Sequence, residues 1–206
     1  MGSFRLRFGL PLALVLWCGF LFSCSSALLY EKNRNLCAGQ PIITRKHEKA
    51  LQWLMKNIGE SQIKSGKSPQ HESACWMLRS KAKFTPQRFV MGVIYYATKG
   101  SNWDENSGWM TQKHECDWYG VKCNWSKRII ELDLGYIKVD GLVPREIGLL
   151  TGLKDLDLHG NDIQGVIPHK LMVGLKQIEY LRLHMNGIFG SIHKEISQMK
   201  NLKVSR

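Results

Sequence analysis

Few side chains in this sequence have chemistry to offer, and they are widely spaced. Cys116 and Cys123 are the closest pair of thiols after the N-terminal segment, with His114 just before them. Zinc needs four ligands and usually tighter cysteine pairs, so this set does not read as a metal site. His159 and His184, even with Asp157, also fall short of a full ligand set. Asn124-Trp125-Ser126 is the one Asn-x-Ser/Thr sequon, and it marks Asn124 for glycosylation if the chain is secreted. The stretch 61–68 ends in Gly-Lys-Ser, the tail of a phosphate-cradling loop. Ser61 stands where that loop needs glycine, however, and Pro69 follows at once. No Ser/His/Asp arrangement, paired-carboxylate signature or cofactor motif is present. The expectation is a chain that is not an enzyme and carries no cofactor and no metal.

A repeat must position the remaining polar residues. Ile129-Ile130-Glu131-Leu132-Asp133-Leu134 leads to Gly141-Leu142-Val143-Pro144. Leu153-Lys154-Asp155-Leu156-Asp157-Leu158 leads to Gly165-Val166-Ile167-Pro168. Ile178-Glu179-Tyr180-Leu181-Arg182-Leu183 leads to Gly190-Ser191-Ile192-His193, and a fourth unit opens at Leu202. A period near 24 residues signals stacked units, none of which can bury its apolar edge alone. Leu156 and Leu158 are expected to face inward, and Lys154, Asp155, Asp157 and His159 can point outward. Stacking then lines up columns: Glu131, Asp155 and Tyr180; Asp133, Asp157 and Arg182; Gly135, His159 and His184; Tyr136, Gly160 and Met185. Column neighbours lie about 4.8 Å apart, close enough to hold one ligand group together. The candidate binding residues are Glu131, Asp133, Asp155, Asp157, His159, Tyr180, Arg182 and His184.

The best copy, Leu153 through Pro168 with Asn161 at its turn, resembles the leucine-rich repeat, specifically the plant-type variety with its Gly-x-Ile-Pro segment. Just upstream, the string from Cys116 through Trp118, Gly120 and Val121 to Cys123 is similar to the N-terminal capping module of that family. Residues 88–103 are similar to its cap helix, in the variant common in algal proteins. The resemblance covers roughly residues 85–206. It implies an α/β solenoid: a short right-handed leucine-rich repeat horseshoe with a helical, disulfide-linked N-terminal cap. It also implies a binding face on the concave side, where family members take proteins, peptides or glycans. Two positions depart from the pattern. Ile137 replaces the turn asparagine of the first unit, so that coil is expected to lack the asparagine contact, and His193 replaces the third proline.

Within the cap, Thr85-Pro86 predicts a helix start, with Thr85 as N-cap. Phe89, Val90, Val93, Ile94 and Ala97 form one apolar stripe, and Gly100 is placed to end the helix. Trp103, Trp109 and Trp118 are expected to plug the edge of the first coil. A Cys116–Cys123 disulfide is expected in an oxidising compartment.

The compartment follows from residues 1–27. Arg5 and Arg7 precede an apolar run, and Ser25-Ser26-Ala27 offers a small-residue cleavage site. The expectation is secretion, with an uncleaved membrane anchor as the alternative. Removing that segment leaves Cys37, Cys75, Cys116 and Cys123, which allow three pairings. Pairing Cys116 with Cys123 leaves Cys37 with Cys75.

Residues 28–84 read as a basic helical arm. The formal net charge of the chain is +12. Residues 28–90 hold 12 Lys/Arg against 4 Asp/Glu, whereas 91–206 hold 15 against 13. Outside the cell such an arm suits anionic glycans or a membrane surface rather than nucleic acid. One helix is expected from Thr44 to about Ile63, with Leu51, Leu54, Met55 and Ile58 on one face. After a linker ending near Pro69, a short helix from Ser73 to Ala82 is expected, and the two helices are expected to pack loosely beside the cap or to form a mobile arm.

The expected organisation is therefore a signal peptide at 1–27, the arm at 28–84, the cap at 85–127 and repeats at 128–206. The expected function is non-catalytic extracellular recognition by a receptor-like ectodomain or a fragment of one. A secreted inhibitor of cell-wall-degrading hydrolases is the alternative, and a secreted enzyme a minor one.

Overall fold

The computed structural model describes residues 36–37, 45–80, 83–191 and 194–203, with backbone alone at 45–48. The expectations for residues 1–27 and for His193 fall outside the described residues. Two compact units divide the chain between Glu60 and Ser61. Among the described residues no helix is long and apolar enough to cross a membrane.

In the first unit, α1 (Arg45–Asn57) buries Ala50, Leu51 and Leu54, with Met55 half-buried. It does not run on to Ile63 as one helix. Gly59 takes φ +100° and shares the Leu54 carbonyl with Ile58 N–H, which closes the helix. Glycine is the residue that ends a helix this way at least cost. A short α2 (Glu60–Lys64) follows.

The second helix of the sequence reading begins earlier than expected. The linker ends near Pro69 as expected, but Pro69 is already the first residue of α3 (Pro69–Arg79), which stops short of Ala82, and Ser68 caps it by accepting from His71 N–H at 3.0 Å. Its packing is tight, not loose. Ser73 is fully buried and donates to the Phe89 carbonyl at 2.8 Å, and a Cβ at Gly92 would collide with the Ser73 hydroxyl. Glycine at that position is what brings α3 against α4 (Pro86–Ala97).

Thr85 caps α4 by accepting from Arg88 N–H at 3.1 Å, with Pro86 next in the helix. Phe89, Val90, Val93 and Ile94 are buried, and so are Arg88, Met91 and Gly92, so α4 is covered on more than its apolar stripe. The helix ends at Ala97. The left-handed residue after it is Lys99, φ +51°, not Gly100. Gly100 serves a different need, because any Cβ there would strike the Tyr95 ring.

Seven strands follow among the described residues: β1 (Val121–Cys123), β2 (Ile129–Asp133), β3 (Asp140–Leu142), β4 (Asp155–Asp157), β5 (Asp162–Gly165), β6 (Tyr180–Arg182) and β7 (Gly187–Ile188). They form two ladders, in the orders β1-β2-β4-β6 and β3-β5-β7. Pairs between repeat units are parallel, while β1 joins β2 antiparallel. In the first ladder Leu132 pairs Leu156 and Leu156 pairs Leu181, the register that the repeat period demands. Leu132, Leu134, Leu156 and Leu158 are all buried. Three other segments complete the units: a 3-10 turn at Arg145–Leu149, α5 (His169–Gly174) and a 3-10 turn at Lys194–Gln198.

Two asparagines tie the units together. Asn161 accepts from Ile137 and Val139 N–H, and donates to the carbonyls of Leu134, Leu158 and His159. Asn186 accepts from Ile163 N–H and donates to Leu158, Leu183 and His184 carbonyls. Each asparagine therefore serves the backbone of the unit before its own. This corrects the expectation for Ile137. The first unit does receive the asparagine contact, from Asn161, and has no earlier unit to serve. The Ile137 carbonyl itself accepts from Asp104 N–H.

The end of α4 lies along that first unit. Asp140 N–H reaches the Thr98 carbonyl at 3.4 Å, and a Cβ at Gly141 would collide with the Ala97 carbonyl. Trp103, Trp109 and Trp118 are buried beside it, each indole N–H donating to a backbone carbonyl. Trp76 of α3 joins them, edge-on to Trp118 at 6.1 Å. Cys116 and Cys123 are bonded, with Cα atoms 5.5 Å apart. Cys37 and Cys75 are each disulfide-bonded as well.

Candidate recognition face

The columns expected from the repeat stand side by side on the first ladder. Glu131 pairs Asp155, which pairs Tyr180; Asp133 pairs Asp157, which pairs Arg182. Beyond the strands the ladder hydrogen bonds continue, from Tyr136 N–H to the His159 carbonyl and from Gly160 N–H to that of His184. All the candidate binding residues are thus brought onto one face.

They are not equally available. Asp157 lies on this face but is buried beneath Arg182 and His159. Its carboxylate accepts from His159 N–H at 3.0 Å, meets His159 Nδ1, and pairs Arg182 at 3.3 Å. Arg182 also pairs Asp155 at 2.7 Å and lies over the Tyr180 ring. Burial raises the Asp155 carboxyl above its usual range; Arg182 opposes this, while Glu131 and Asp157 add to it. Glu131 is held by Lys122 from β1 at 2.6 Å. Asp133 is exposed; one of its oxygens accepts from Gly135 N–H, and among the described residues it forms no ion pair.

His159 and His184 stack with ring centroids 4.9 Å apart, and the Tyr136 ring meets His159 edge-on at 4.6 Å. Tyr136 crosses over Gly160, where a Cβ would strike its ring, and donates its hydroxyl to Met185 Sδ at 3.2 Å. Tyr136 and Met185 belong to the fourth column but were not among the candidate binding residues. Their backbone sets them apart. The three residues of that column take φ of +55°, +66° and +54°, and only the middle one is glycine. A residue with a Cβ pays roughly 1–2 kcal/mol to sit there. Large residues at a position best suited to glycine are the signal that could have found them.

Behind this face, the buried Arg88–Glu115 pair at 2.8 Å fixes α4 to the segment before β1. Burial pushes the Glu115 carboxyl up. Hydrogen bonds from Gln87, its own backbone and Arg88, together with the Arg88 charge, outweigh that and hold it below the usual range. Gln87 also donates to the Lys127 carbonyl and accepts from Ile129 N–H, so one side chain links α4 both to Glu115 and to the start of β2. At the tip of that turn Trp125 is 94% exposed. Asn124 beside it is half-buried, its side-chain oxygen accepting from Ser126 and Arg128 N–H. Among the described residues no cluster of three His, Cys, Asp or Glu could hold a metal.

No family model matches the chain. Part of it is 33% identical, over 100 residues, to the leucine-rich repeat receptor-like serine/threonine-protein kinase GSO2 of Arabidopsis thaliana. Another match is 32% identical over 95 residues to phytosulfokine receptor 1 of the same plant. These matches make part of the chain similar to plant leucine-rich repeat receptor-like kinases. These alignments take in 48% and 44% of the chain but only 8% and 9% of the two receptors. The chain spans less than a tenth of the length of these leucine-rich repeat relatives, and the matches are to their repeat part rather than to a kinase. Among solved structures, one from the BIR3–SERK2 complex of Arabidopsis thaliana is 32% identical, with a TM-score of 0.42 over 48% of this chain and 53% of that one. A plant ice-binding protein is 26% identical, with a TM-score of 0.48 over 53% of this chain and 35% of that one.

Proposed function

We propose that the chain is a recognition module that binds a protein or peptide outside the cell, through the outward face of its first ladder and without catalysis. In this reading the parallel ladders are the two sides of a short right-handed solenoid. Residues 85–127 act as its helical, disulfide-linked cap, following a signal peptide at 1–27 and a basic arm at 28–84. The observation that carries the reading is the alignment of Glu131, Asp155 and Tyr180 beside Asp133, Asp157 and Arg182, which presents charge and aromatic surface across three units at strand spacing. The receptor-like names of the relatives support it, since those matches are to repeat regions.

The test is capture of ligands by the secreted full chain and by an Asp155→Ala/Arg182→Ala variant. Loss of the two side chains removes the paired charges at the centre of the face, so affinity is expected to fall at least about tenfold, as for a central interface residue. Unchanged capture of every ligand by the variant would sink the strand-face reading.

A further inference from the structure

We propose that the plate formed by Tyr136, His159, His184 and Met185, with Asp133 at its margin, takes an arginine or lysine side chain of a peptide ligand together with the apolar residue next to it. This deepens the strand-face reading and rests on it.

Two glycines keep the plate flat. A Cβ at Gly160 would strike the Tyr136 ring, and one at Gly135 would come within 2.8 Å of the His159 ring. Tyr136 therefore lies down across the second unit and reaches Met185 of the third, with the stacked histidines alongside. Tyr136 and Met185 stay 59% and 63% exposed, so burial does not repay their left-handed backbone. An aromatic surface with a thioether at its end suits an apolar or flat partner group and adapts to its outline.

The charge selects the partner further. Glu131, Asp133, Asp155, Asp157 and Glu179 stand against Lys122, Lys154, Arg182 and Lys203, five carboxylates to four cations, on a chain whose formal net charge is +12. Each of the four cations is already paired, Lys122 with Glu131, Arg182 with Asp155 and Asp157, and Lys154 and Lys203 with Glu179, which leaves Asp133 to meet a cation from outside. A guanidinium can pair with a carboxylate and stack on an aromatic face at once, and a lysine meets the same two groups as a point charge. An acidic segment would be repelled. A neutral sugar would leave the charge of the face uncompensated.

A randomised dodecapeptide library selected on the full chain tests this, with Tyr136→Gly, Asp133→Asn and Arg182→Ala variants as comparisons. Selected peptides are expected to be enriched at least about fivefold in arginine or lysine beside an apolar residue, with binding weakened by salt. Tyr136→Gly is expected to weaken the selected peptides about tenfold without lowering Tm, because glycine relieves the backbone while removing the plate. Asp133→Asn is expected to abolish the preference for the basic residue. Peptides without a basic bias that Arg182→Ala still loses would overturn the plate assignment and leave the strand face standing. Failure to select any peptide that these variants lose would overturn both.

Discussion

Asn161 carries more of the fold than any other polar side chain described above, because one amide satisfies five backbone groups across two units. Its loss orphans buried donors and acceptors that water cannot reach. Asn161→Ala is therefore expected to cost at least about 3 kcal/mol in chemical denaturation, several unsatisfied groups together. A loss below about 1 kcal/mol would show that the ladder bonds alone hold the units. Glu115 tests the electrostatics. Its carboxyl lies below the usual range in the fold, so it adds stability above the ordinary carboxylate pKa, and that contribution is lost as pH falls through the lower folded value. Asp155 has the opposite sign. Raised in the fold, it opposes folding once ionised, and the penalty fades as pH falls below its ordinary range. Carbon-13 titration is expected to place the Glu115 midpoint below that of an exposed glutamate and the Asp155 midpoint above that of an exposed aspartate. The column positions of these residues were legible in the sequence, because a Leu-x-Leu period of 24 or 25 residues fixes both register and face. The burial of Asp157 was not, since it depends on Arg182 and His159 closing over it from neighbouring positions.

Among the elements, α4 decides how the repeats begin. Its start was legible, since Thr85-Pro86 has one good structural use, and Thr85→Ala is expected to cost about 1 kcal/mol. What lies around it was harder to read. The tight seat of α3 depends on Gly92 facing Ser73, two residues nineteen positions apart with no sequence signal linking them. Gly92→Val is expected to force the helices apart and lower Tm by several degrees, corresponding to about 1–3 kcal/mol of overpacking. An unchanged Tm would mean that the two helices can slide. The break at Gly59 and the early start at Pro69 were misread for a common reason. Glycine and proline punctuate local structure, and here each serves a helix end where the apolar spacing suggested continuity or a linker.

For the whole molecule, crosslinks and charge divide the chain unevenly. The short Cys116–Cys123 loop stabilises by about 2–3 kcal/mol in the chain-entropy account. Cys37 and Cys75 are each disulfide-bonded, and the sequence expectation pairs them with each other. Mass mapping of non-reduced peptides is expected to find them in one crosslinked fragment, and a different partner for either would retire that pairing. The excess of basic over acidic residues lies mostly before residue 91. The asparagine arrangement also has a consequence for how such a chain can lengthen. A unit carrying the turn asparagine brings its own means of attachment to whatever precedes it. Tandem duplication of residues 153–177 would hand each new neighbour a complete set of bonds. Duplication of 129–152 would instead place a copy of Ile137 behind an existing unit, with that unit's Leu134 carbonyl and its Ile137 and Val139 amides unanswered. Gene expansion in this protein thus has a permitted interior and a founding unit that cannot be copied inward.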